Sequence, residues 1–401
     1  MILGPVNSSL YTTRDCIDCL TVRGWVGNTM ANKVLQLCLS DGKGGMELYV
    51  DRIIEDLQSE GWEVFGICLK DTKVATYMQR NGIPYKAFAS NSQALSHVFS
   101  IRRWLIEQNI SVIHCHKSSD LRLTTLLKAL LPKLRIIYTD HVGGQRPKKS
   151  PYHRVAYGSV DRVLSISQAT YQRNIRNLPL PQERVVCLPH GVDIDKYQPN
   201  RDPAAITAKR EALGVPADAV LIGLPGRVTP GKGQDVWVNA LLALDPTLHF
   251  YALSIGGTDY ASGGVEAFYA ELQRTIAGTP LADKITFLGH RSDLTDILPV
   301  LDVVCIPSEN EAFGLTIIES MACGMPIIGS NTGSLPELVD ADSGVLLGPF
   351  DVPAWRDAMD TLIRDAATRQ AMGRAARRRV EEHFSNKQHV KRLMEIYSVS
   401  A

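Results

Sequence analysis

Short apolar runs recur along the chain from residue 34 onward, each followed by a polar or glycine-rich turn and then by a segment with helical spacing. Such runs are typical of strands buried on both faces of a parallel sheet, with the helical segments as crossovers. In the first half the pattern predicts strands at Val34–Leu39, Glu63–Leu69, Tyr85–Phe88, Ser111–His116, Ile136–His141, Arg162–Ser167 and Arg184–Leu188. In the second half it predicts strands at Val220–Leu224, Phe250–Ile255, Ile285–Phe287, Val303–Ile306 and Ile327–Ile328. The alternation indicates an α/β protein.

The length of 401 residues exceeds what one hydrophobic core normally takes, so we expect two domains. The polar, proline-bearing segment 196–204 is the natural linker between them. We therefore place an N-terminal domain at residues 30–200, a C-terminal domain at 201–385, and a last helix at 386–401 that packs back towards the N-terminal domain. Residues 1–29 lack a sustained period, and we expect them to be a non-native or disordered leader.

Charge is distributed unevenly along the chain. The net charge is +1, but residues 1–200 hold 25 Lys and Arg against 17 Asp and Glu. A basic first half suits an anionic partner, such as a phosphorylated acceptor or a membrane face, and it suits a merely solvated surface equally well. The arginine run at 377–379 is predicted to be a solvated helix face.

Two further patterns bear on where the protein works. No apolar run reaches the roughly 18 residues that span a bilayer. Six of the eight cysteines lie in apolar strand or helix contexts, which indicates buried thiols in a reducing compartment. The remaining two, Cys16 and Cys19, form a C-x-x-C pair with no second pair nearby, so we assign them no metal or redox role.

The stretch from Leu301 to Val339 carries the most chemistry. A buried strand leads into a polar loop that ends at Gly314, and a short helix and a second strand follow. The first backbone N–H groups of a helix have no internal partner and attract anions, and glycine lets a phosphate approach closely. Glu311 in the loop and Glu319 in the helix can accept hydrogen bonds from sugar hydroxyls. The stretch therefore predicts a site for a nucleotide sugar.

Other candidates follow the ends of predicted strands, where ligands of parallel sheets bind. Arg227 and Lys232 lie five residues apart on a Gly/Pro-rich turn and can converge on one anion. Two histidines, His116 and His141, end neighbouring strands; such histidines are often only structural, and for His116 that interpretation is slightly favoured.

At these residues the chain resembles the retaining GT-B glycosyltransferases of glycosyltransferase family 4 (group 1), including those that build bacterial lipopolysaccharide. The resemblance rests on P-S-x-x-E-x-F-G with M-A-C-G-x-P, on G-R-x-x-x-x-K-G, on G-G-x-E after the first strand and on P-x-G-V-D before the linker. It implies two Rossmann-like domains that face each other across a cleft.

The resemblance also implies roles for individual residues. The implied donor-binding residues are Gly44, Gly45, Arg227, Lys232, Arg291, Glu311, Ala312, Phe313, Gly314, Leu315 and Glu319. Within this set, Glu319 would hold the ribose and Arg227 with Lys232 the diphosphate. The implied catalytic residues are Glu311, His141, Arg227 and Lys232. The acceptor side is assigned to Glu47, His116 and Lys117.

The implied reaction moves a sugar from a UDP- or GDP-sugar to a glycan or glycolipid hydroxyl with retention, in lipopolysaccharide core or other cell-surface polysaccharide synthesis. We expect no cofactor, no metal and no nucleic-acid partner. We expect a cytoplasmic protein with peripheral contact to the anionic inner membrane surface. Two alternatives stay open: a nucleotide-sugar 2-epimerase of the same fold and a non-catalytic, two-lobed sugar-binding protein.

Overall fold

The computed structural model describes residues 32–42, 44–199, 202–260 and 262–399. The predicted leader, with Cys16 and Cys19, lies outside the described residues. Within them the chain forms two parallel sheets, each flanked by helices on both faces. The predicted fold class, two Rossmann-like α/β domains facing across a cleft, is confirmed.

The N-terminal sheet has seven strands in the order β3-β2-β1-β4-β5-β6-β7. Its strands are β1 (Lys33–Cys38), β2 (Glu63–Leu69), β3 (Tyr85–Phe88), β4 (Val112–Cys115), β5 (Arg135–Asp140), β6 (Arg162–Ser165) and β7 (Val185–Cys187). Its helices are α1 (Gly45–Ser59), α2 (Lys73–Arg80), α3 (Asn91–Ser96), α4 (Val98–Glu107), α5 (Leu121–Leu130), α6 (Pro151–Gly158) and α7 (Gln168–Asn177). Strand β1 pairs with both β2 and β4, so the order of strands reverses beside it and opens a crevice at its carboxyl end.

The C-terminal sheet has six strands in the order β10-β9-β8-β11-β12-β13. Its strands are β8 (Val220–Pro225), β9 (Phe250–Ile255), β10 (Ile285–Phe287), β11 (Val303–Ile306), β12 (Ile327–Ser330) and β13 (Gly344–Leu347). Its helices are α8 (Pro203–Ala212), α9 (Gln234–Leu242), α10 (Glu266–Ile276), α11 (Leu294–Ile297), α12 (Leu315–Ala322), α13 (Leu335–Leu338), α14 (Val352–Arg364) and α15 (Ala366–His383). Here the strand order reverses between β8 and β11, and the turns after both strands carry predicted site residues.

Strand positions agree with the sequence pattern to within two residues at most ends, because each buried strand is a distinct apolar run. Two of the crossover segments show details that the pattern did not predict. The first helix begins at Gly45, directly within the glycine-rich turn after β1. The segment between β3 and β4 holds two helices, which are separated at His97.

The last helix, α16 (Asn386–Ser398), leaves the C-terminal domain and packs against the N-terminal one. Val390, Leu393 and Tyr397 join the core formed by α1, β1 and β2. The Arg135 guanidinium donates to the carbonyls of Ile396, at 2.8 Å, and Tyr397. The helix therefore ties both domains together behind the cleft.

The arginine run is not simply a solvated face, which corrects the prediction. Arg377 donates to the carbonyls of Ala322 and Tyr197, both at 2.7 Å, and so joins the end of α12 to the interdomain linker. Arg379 donates to the Leu338 carbonyl at 2.6 Å and pairs with Asp340 at 2.7 Å. Only Arg378 of the three is exposed.

Candidate active site

Three helices at the cleft begin at a glycine. The residues that precede their first turns are Gly44 for α1, Gly233 for α9 and Gly314 for α12, and none of them has a side chain that could cap its helix. At α1 the Glu47 carboxylate accepts the N–H of Gly44 itself, and the N–H groups after it carry no side-chain cap. Several other helices do have a side-chain cap, for example from Thr72 at α2, Ser150 at α6 and Ser167 at α7. Glycine offers no capping oxygen, so the N–H groups of these three helix ends remain available for an anion.

The three helix ends lie together. A Cβ atom placed on Gly45 would be 3.7 Å from a Leu315 methyl group, so the first turns of α1 and α12 face each other across the domains. The turn before α9 reaches the same place, because the Glu309 N–H donates to the Gly231 carbonyl at 3.0 Å. The turns before α1, α9 and α12 therefore lie close to one another where the two domains face each other.

Two predicted residues meet at this point. The Lys232 ammonium lies 2.6 Å from a carboxylate oxygen of Glu311, with both side chains partly exposed, at 30% and 18%. The structure therefore joins the two halves of the predicted donor site through an ion pair whose cation stays accessible to a ligand.

Backbone geometry explains why glycine occupies the positions before α9 and α12. Gly233 has φ +74°, and a Cβ there would lie 2.2 Å from the Pro307 carbonyl oxygen. Gly314 has φ +90°, and a Cβ there would meet Ile317 at 2.4 Å and Glu311 at 3.1 Å. Both positions need a left-handed backbone and the absence of a side chain.

The Glu311 loop is held by residues that the sequence analysis missed. Ser334 donates its N–H to the Glu311 carbonyl at 3.0 Å and its hydroxyl to the Phe313 carbonyl at 2.7 Å. A Cβ on Gly333 would lie 2.5 Å from the same Glu311 oxygen. These residues follow strand β12, so the rule that strand ends line the site could have identified them.

The two predicted arginines differ in their surroundings. Arg227 is exposed, and its side chain passes over Gly263, where a Cβ would come within 2.9 Å of it. Arg291 pairs with Asp293 at 2.7 Å, and Lys209 also contacts that carboxylate at 2.8 Å. These hydrogen bonds, from Arg291 first and then Lys209, lower the pKa of Asp293. Contact of Arg291 with a nucleotide stays a prediction.

Glu319 is buried and paired across the domains. Its carboxylate lies 2.6 Å from the guanidinium of Arg52, on α1, and its side chain is only 4% exposed. Burial would lower the pKa of Arg52, but the Glu319 charge more than offsets this and the pKa is raised. Tyr197 also hydrogen-bonds Glu319. Neither partner follows from the local motif, because Arg52 is 267 positions away in the chain.

Two of the three predicted acceptor-side residues are buried and bonded to protein groups, and the acceptor role of all three stays a prediction. Glu47 is buried and accepts the Gly44 N–H at 3.0 Å, so it fixes the turn before α1. The ring of His116 is buried and both its nitrogens contact protein atoms, Gln36 at 2.8 Å and His141 at 3.4 Å. Lys117 is partly exposed, and its role stays a prediction.

His141 belongs to a cluster that no local motif indicates. Its ring stacks on His190, 5.4 Å between centroids, and His190 in turn contacts Phe313 of the Glu311 loop at 5.2 Å. We call His114, His116, His141, His190 and His389 the histidine cluster. Burial lowers the pKa of every member, to about 3 for His141 and about 4 for His389, so the rings are neutral near pH 7. The N-terminal wall of the cleft is thus uncharged at its deepest part.

Comparison with known proteins identifies the family of the chain. Residues 43–196 match the model for Glycosyltransferase Family 4, and residues 205–379 match that for Glycosyl transferases group 1. The chain belongs to the group 1, family 4 glycosyltransferases.

Individual relatives agree with the assignment. A lipopolysaccharide core biosynthesis mannosyltransferase of Rhizobium meliloti is 29% identical over 71% of this chain and 78% of its own. A glycosyltransferase of Rickettsia africae has a TM-score of 0.83 at 23% identity, over 92% of this chain and 98% of its own. Anabaena HepE in complex with UDP has a TM-score of 0.79 at 24% identity, over 91% and 99%. The two solved structures support the GT-B fold.

Two features complete the description of this glycosyltransferase. In the part of the chain that the structure describes, no helix is both long and apolar enough to cross a membrane. Over the same residues, no group of three or more His, Cys, Asp or Glu side chains is arranged to hold a metal ion. The histidines of the cluster instead engage each other and neighbouring polar groups.

Proposed function

We propose that this glycosyltransferase moves a sugar from a UDP- or GDP-sugar to a hydroxyl of a glycan or glycolipid, with retention, in lipopolysaccharide core or related cell-surface polysaccharide synthesis. The single observation that carries the proposal is the meeting of the Lys232–Glu311 pair with three glycine-started helix ends. The Rhizobium relative and the UDP complex support the choice of pathway and donor class.

The charged groups then have separate tasks. Arg227 and Lys232, together with the N–H groups of α12, neutralise the diphosphate as the glycosidic bond breaks. Glu311 holds hydroxyls of the transferred sugar and at the same time orients the Lys232 ammonium. Glu319 accepts from the ribose, with Arg52 holding its other side in place.

Retention follows from attack on the face that the leaving group occupies. The bond from the anomeric carbon to the phosphate oxygen breaks, and the acceptor oxygen bonds to that carbon on the same side. The acceptor proton passes to the departing phosphate, so no protein nucleophile and no cofactor take part. The electrostatic task falls to the two cations and the helix ends, and the proposal includes no metal.

A donor screen followed by product analysis tests the proposal. A bound nucleotide sugar should raise the melting temperature of the wild-type chain, and a nucleoside monophosphate should do so much less. With the donor so identified, slow hydrolysis without acceptor, and a product whose anomeric configuration by NMR matches the donor, are the expected results. Inversion, or binding of a free sugar with no effect of any nucleoside diphosphate, would contradict it.

The same assay separates the two alternatives. A 2-epimerase would convert the nucleotide sugar into one that is altered at carbon 2, with the nucleoside diphosphate still attached and no acceptor glycosylated. A two-lobed sugar-binding protein would bind without any turnover. The motif around Glu311 and Glu319 favours the transferase over both.

We also propose a peripheral contact of the N-terminal domain with an anionic membrane on the cytoplasmic side. Exposed apolar side chains on α4, α5 and α6 support it: Phe99 (71% exposed), Ile106, Leu126, Tyr152 and Val155 (63%), with basic residues among them. Such a surface should co-sediment with vesicles containing phosphatidylglycerol and not with pure phosphatidylcholine. Equal sedimentation of wild type and Phe99→Asp would contradict the contact.

A further inference from the structure

A carboxylate of the C-terminal domain occupies the beginning of a helix of the N-terminal domain. Glu337 lies on α13, and its two carboxylate oxygens accept the backbone N–H groups of Gln168, at 2.5 Å, and Ala169, at 2.7 Å. These are the first two residues of α7, where N–H groups have no partner within the helix. The helix dipole is positive at this end and stabilises a negative charge. Glu337 therefore binds α7 as an anionic ligand would, but from within the same chain.

A second contact between the domains lies beside the first. Ser167 directly precedes α7 and is fully buried, and its side-chain oxygen accepts the Thr170 N–H at 3.1 Å. Its hydroxyl has two acceptors in range, the Ala312 carbonyl at 2.8 Å and the Thr170 Oγ1 at 3.1 Å. The Thr170 oxygen already accepts the Ser167 N–H at 2.9 Å, so the shorter contact, to Ala312, takes the proton. One serine thus caps a helix of one domain and holds the Glu311 loop of the other.

This contact completes the support of three consecutive carbonyls in the Glu311 loop. The Glu311 and Phe313 carbonyls accept from the N–H and the hydroxyl of Ser334, which belongs to the same domain. The carbonyl between them, of Ala312, accepts from Ser167 of the opposite domain. The conformation of the loop is therefore fully supported only when the two domains are together.

Each side of the interdomain contact is fixed within its own domain. Arg379, on α15, donates to the Glu337 carbonyl at 2.9 Å and so holds α13. Asn174, on α7, donates to the Ser165 hydroxyl oxygen at 3.0 Å and accepts the Gly144 N–H at 2.8 Å. Because α13 and α7 are both held in this way, the contact between them depends on the relative position of the two domains.

We propose that Glu337 and Ser167 form an interdomain latch, which engages α7 and the Ala312 carbonyl when the domains close and so positions the Glu311 loop for sugar transfer. Both are positioning residues, because they act through the backbone of the loop. When the domains separate, water replaces each partner in these hydrogen bonds, so the latch is reversible, as the release of a nucleoside diphosphate from a cleft requires. The effect on turnover rests on the function proposed above, whereas the contact between the domains does not.

Amide hydrogen exchange of the full chain, without any ligand, tests the Glu337 contact. In Glu337→Ala the N–H groups of Gln168 and Ala169 should exchange about tenfold faster, since a hydrogen bond to a charged group contributes a factor of this order. Glu337→Gln keeps the shape and one acceptor oxygen, so its exchange rates should lie between those of wild type and Glu337→Ala. Glu337 is partly exposed, so both of its variants should fold even if Ser167→Ala does not.

The same experiment tests whether the latch positions the Glu311 loop. The Ser334 N–H is bound by the Glu311 carbonyl, and that hydrogen bond lies entirely within the C-terminal domain. Ser167→Ala leaves both of these partners in place but removes the donor to Ala312. If the middle carbonyl supports the loop, Ser334 should nevertheless exchange faster in Ser167→Ala than in wild type.

Kinetics tests the consequence for transfer. Turnover should fall about tenfold in Glu337→Ala and in Ser167→Ala, because a small displacement of the reacting groups is costly, while affinity for the nucleoside diphosphate stays within about twofold. The affinity is retained because the diphosphate binds to Lys232 and the helix ends. A general loss of structure would lower turnover and affinity together.

The matched controls are two side-chain caps that act within one domain. Ser90 caps α3 with almost the same backbone angle as Ser167, φ −158° against −159°, and accepts the Gln93 N–H at 3.2 Å. Asp351 caps α14 by accepting the Ala354 N–H at 3.1 Å. Ser90→Ala and Asp351→Ala should both match wild type in turnover and in the exchange of Ser334.

Three results would overturn the proposal. They are wild-type exchange at Gln168 and Ala169 in Glu337→Ala, wild-type exchange at Ser334 in Ser167→Ala, and normal turnover in both variants. If wild type turns over no nucleotide sugar, the proposed function fails instead, and the exchange measurements alone then decide whether the latch exists.

Discussion

The two walls of the cleft differ in charge and in burial. On the C-terminal wall, the glycine-started helices α9 and α12 present backbone N–H groups beside the Lys232–Glu311 pair, so the surface is charged and partly open to water. On the N-terminal wall, the rings of the histidine cluster are neutral, all but His141 are buried, and they contact one another and neighbouring polar groups. The first, which we call the charged wall, suits a diphosphate, and the second, the neutral wall, suits an uncharged sugar. The comparison teaches that the charged and the uncharged surfaces of the cleft are supplied by different domains.

We expect the largest effect from a substitution that disturbs the backbone of the charged wall. In Gly233→Ala the new methyl group would meet the Pro307 oxygen at 2.2 Å in a left-handed backbone, and we expect a loss of about 3 kcal/mol in the free energy of unfolding. Gly231→Ala is matched in φ, +82°, but has open space around it, so about 1 kcal/mol is expected there. Urea unfolding compares them, and equal losses would refute the steric account.

Removing the cation tests the same wall chemically. Lys232→Ala should lower turnover by about 10²-fold, because a preorganised positive charge near the leaving diphosphate is lost. The exposed Lys391, on α16, gives the control, and Lys391→Ala should match wild type. Turnover is measured by steady-state kinetics with saturating acceptor. Normal turnover in Lys232→Ala would show that this lysine takes no part in the reaction.

The neutral state of the buried histidines should appear in the pH dependence of the free energy of unfolding. Burial lowers the pKa of His389 to about 4, against roughly 6.5 in an unfolded chain. Below pH 6.5 the unfolded chain binds a proton that the folded protein does not, so this histidine removes stability as the pH falls from 6.5 towards 4. His389→Gln keeps a donor and an acceptor without titrating, so its stability loss between pH 7 and pH 5 should be about 2 kcal/mol smaller than that of wild type.

The comparison variant is His97→Gln, which changes an exposed histidine and should retain the wild-type loss. Urea unfolding at both pH values measures each free energy. If His389→Gln lost as much stability as wild type, the neutral, buried state assigned to this ring would be untenable.

The same contrast explains how much the sequence could predict. The predicted residues of the charged wall lie in short segments, each of which can be interpreted from its own sequence. Arg227 and Lys232 share one turn, and Glu311 and Glu319 share one loop and helix. Even there, the pairing of Lys232 with Glu311 joins positions 79 apart and could not be read from either segment.

Most of the neutral wall could not be predicted from the sequence. The strand-end rule placed His116 and His141 at the correct edge of the sheet, but it could not show that His116 would be buried and bonded to Gln36. The contact between Tyr49 and His389 spans 340 positions, and neither residue belongs to a motif. Burial and hydrogen-bond partners depend on tertiary packing, which periodicity alone does not carry.

Calorimetric binding of UDP and of the matching UDP-sugar, or the GDP pair if the donor screen selects it, tests the division between the walls most directly. Lys232→Ala should weaken both ligands, since both contain the diphosphate that the charged wall binds. His141→Gln should weaken the nucleotide sugar about tenfold and leave the free nucleoside diphosphate unchanged, since only the sugar reaches the neutral wall. Equal weakening of both ligands by His141→Gln, or of neither by Lys232→Ala, would contradict the account.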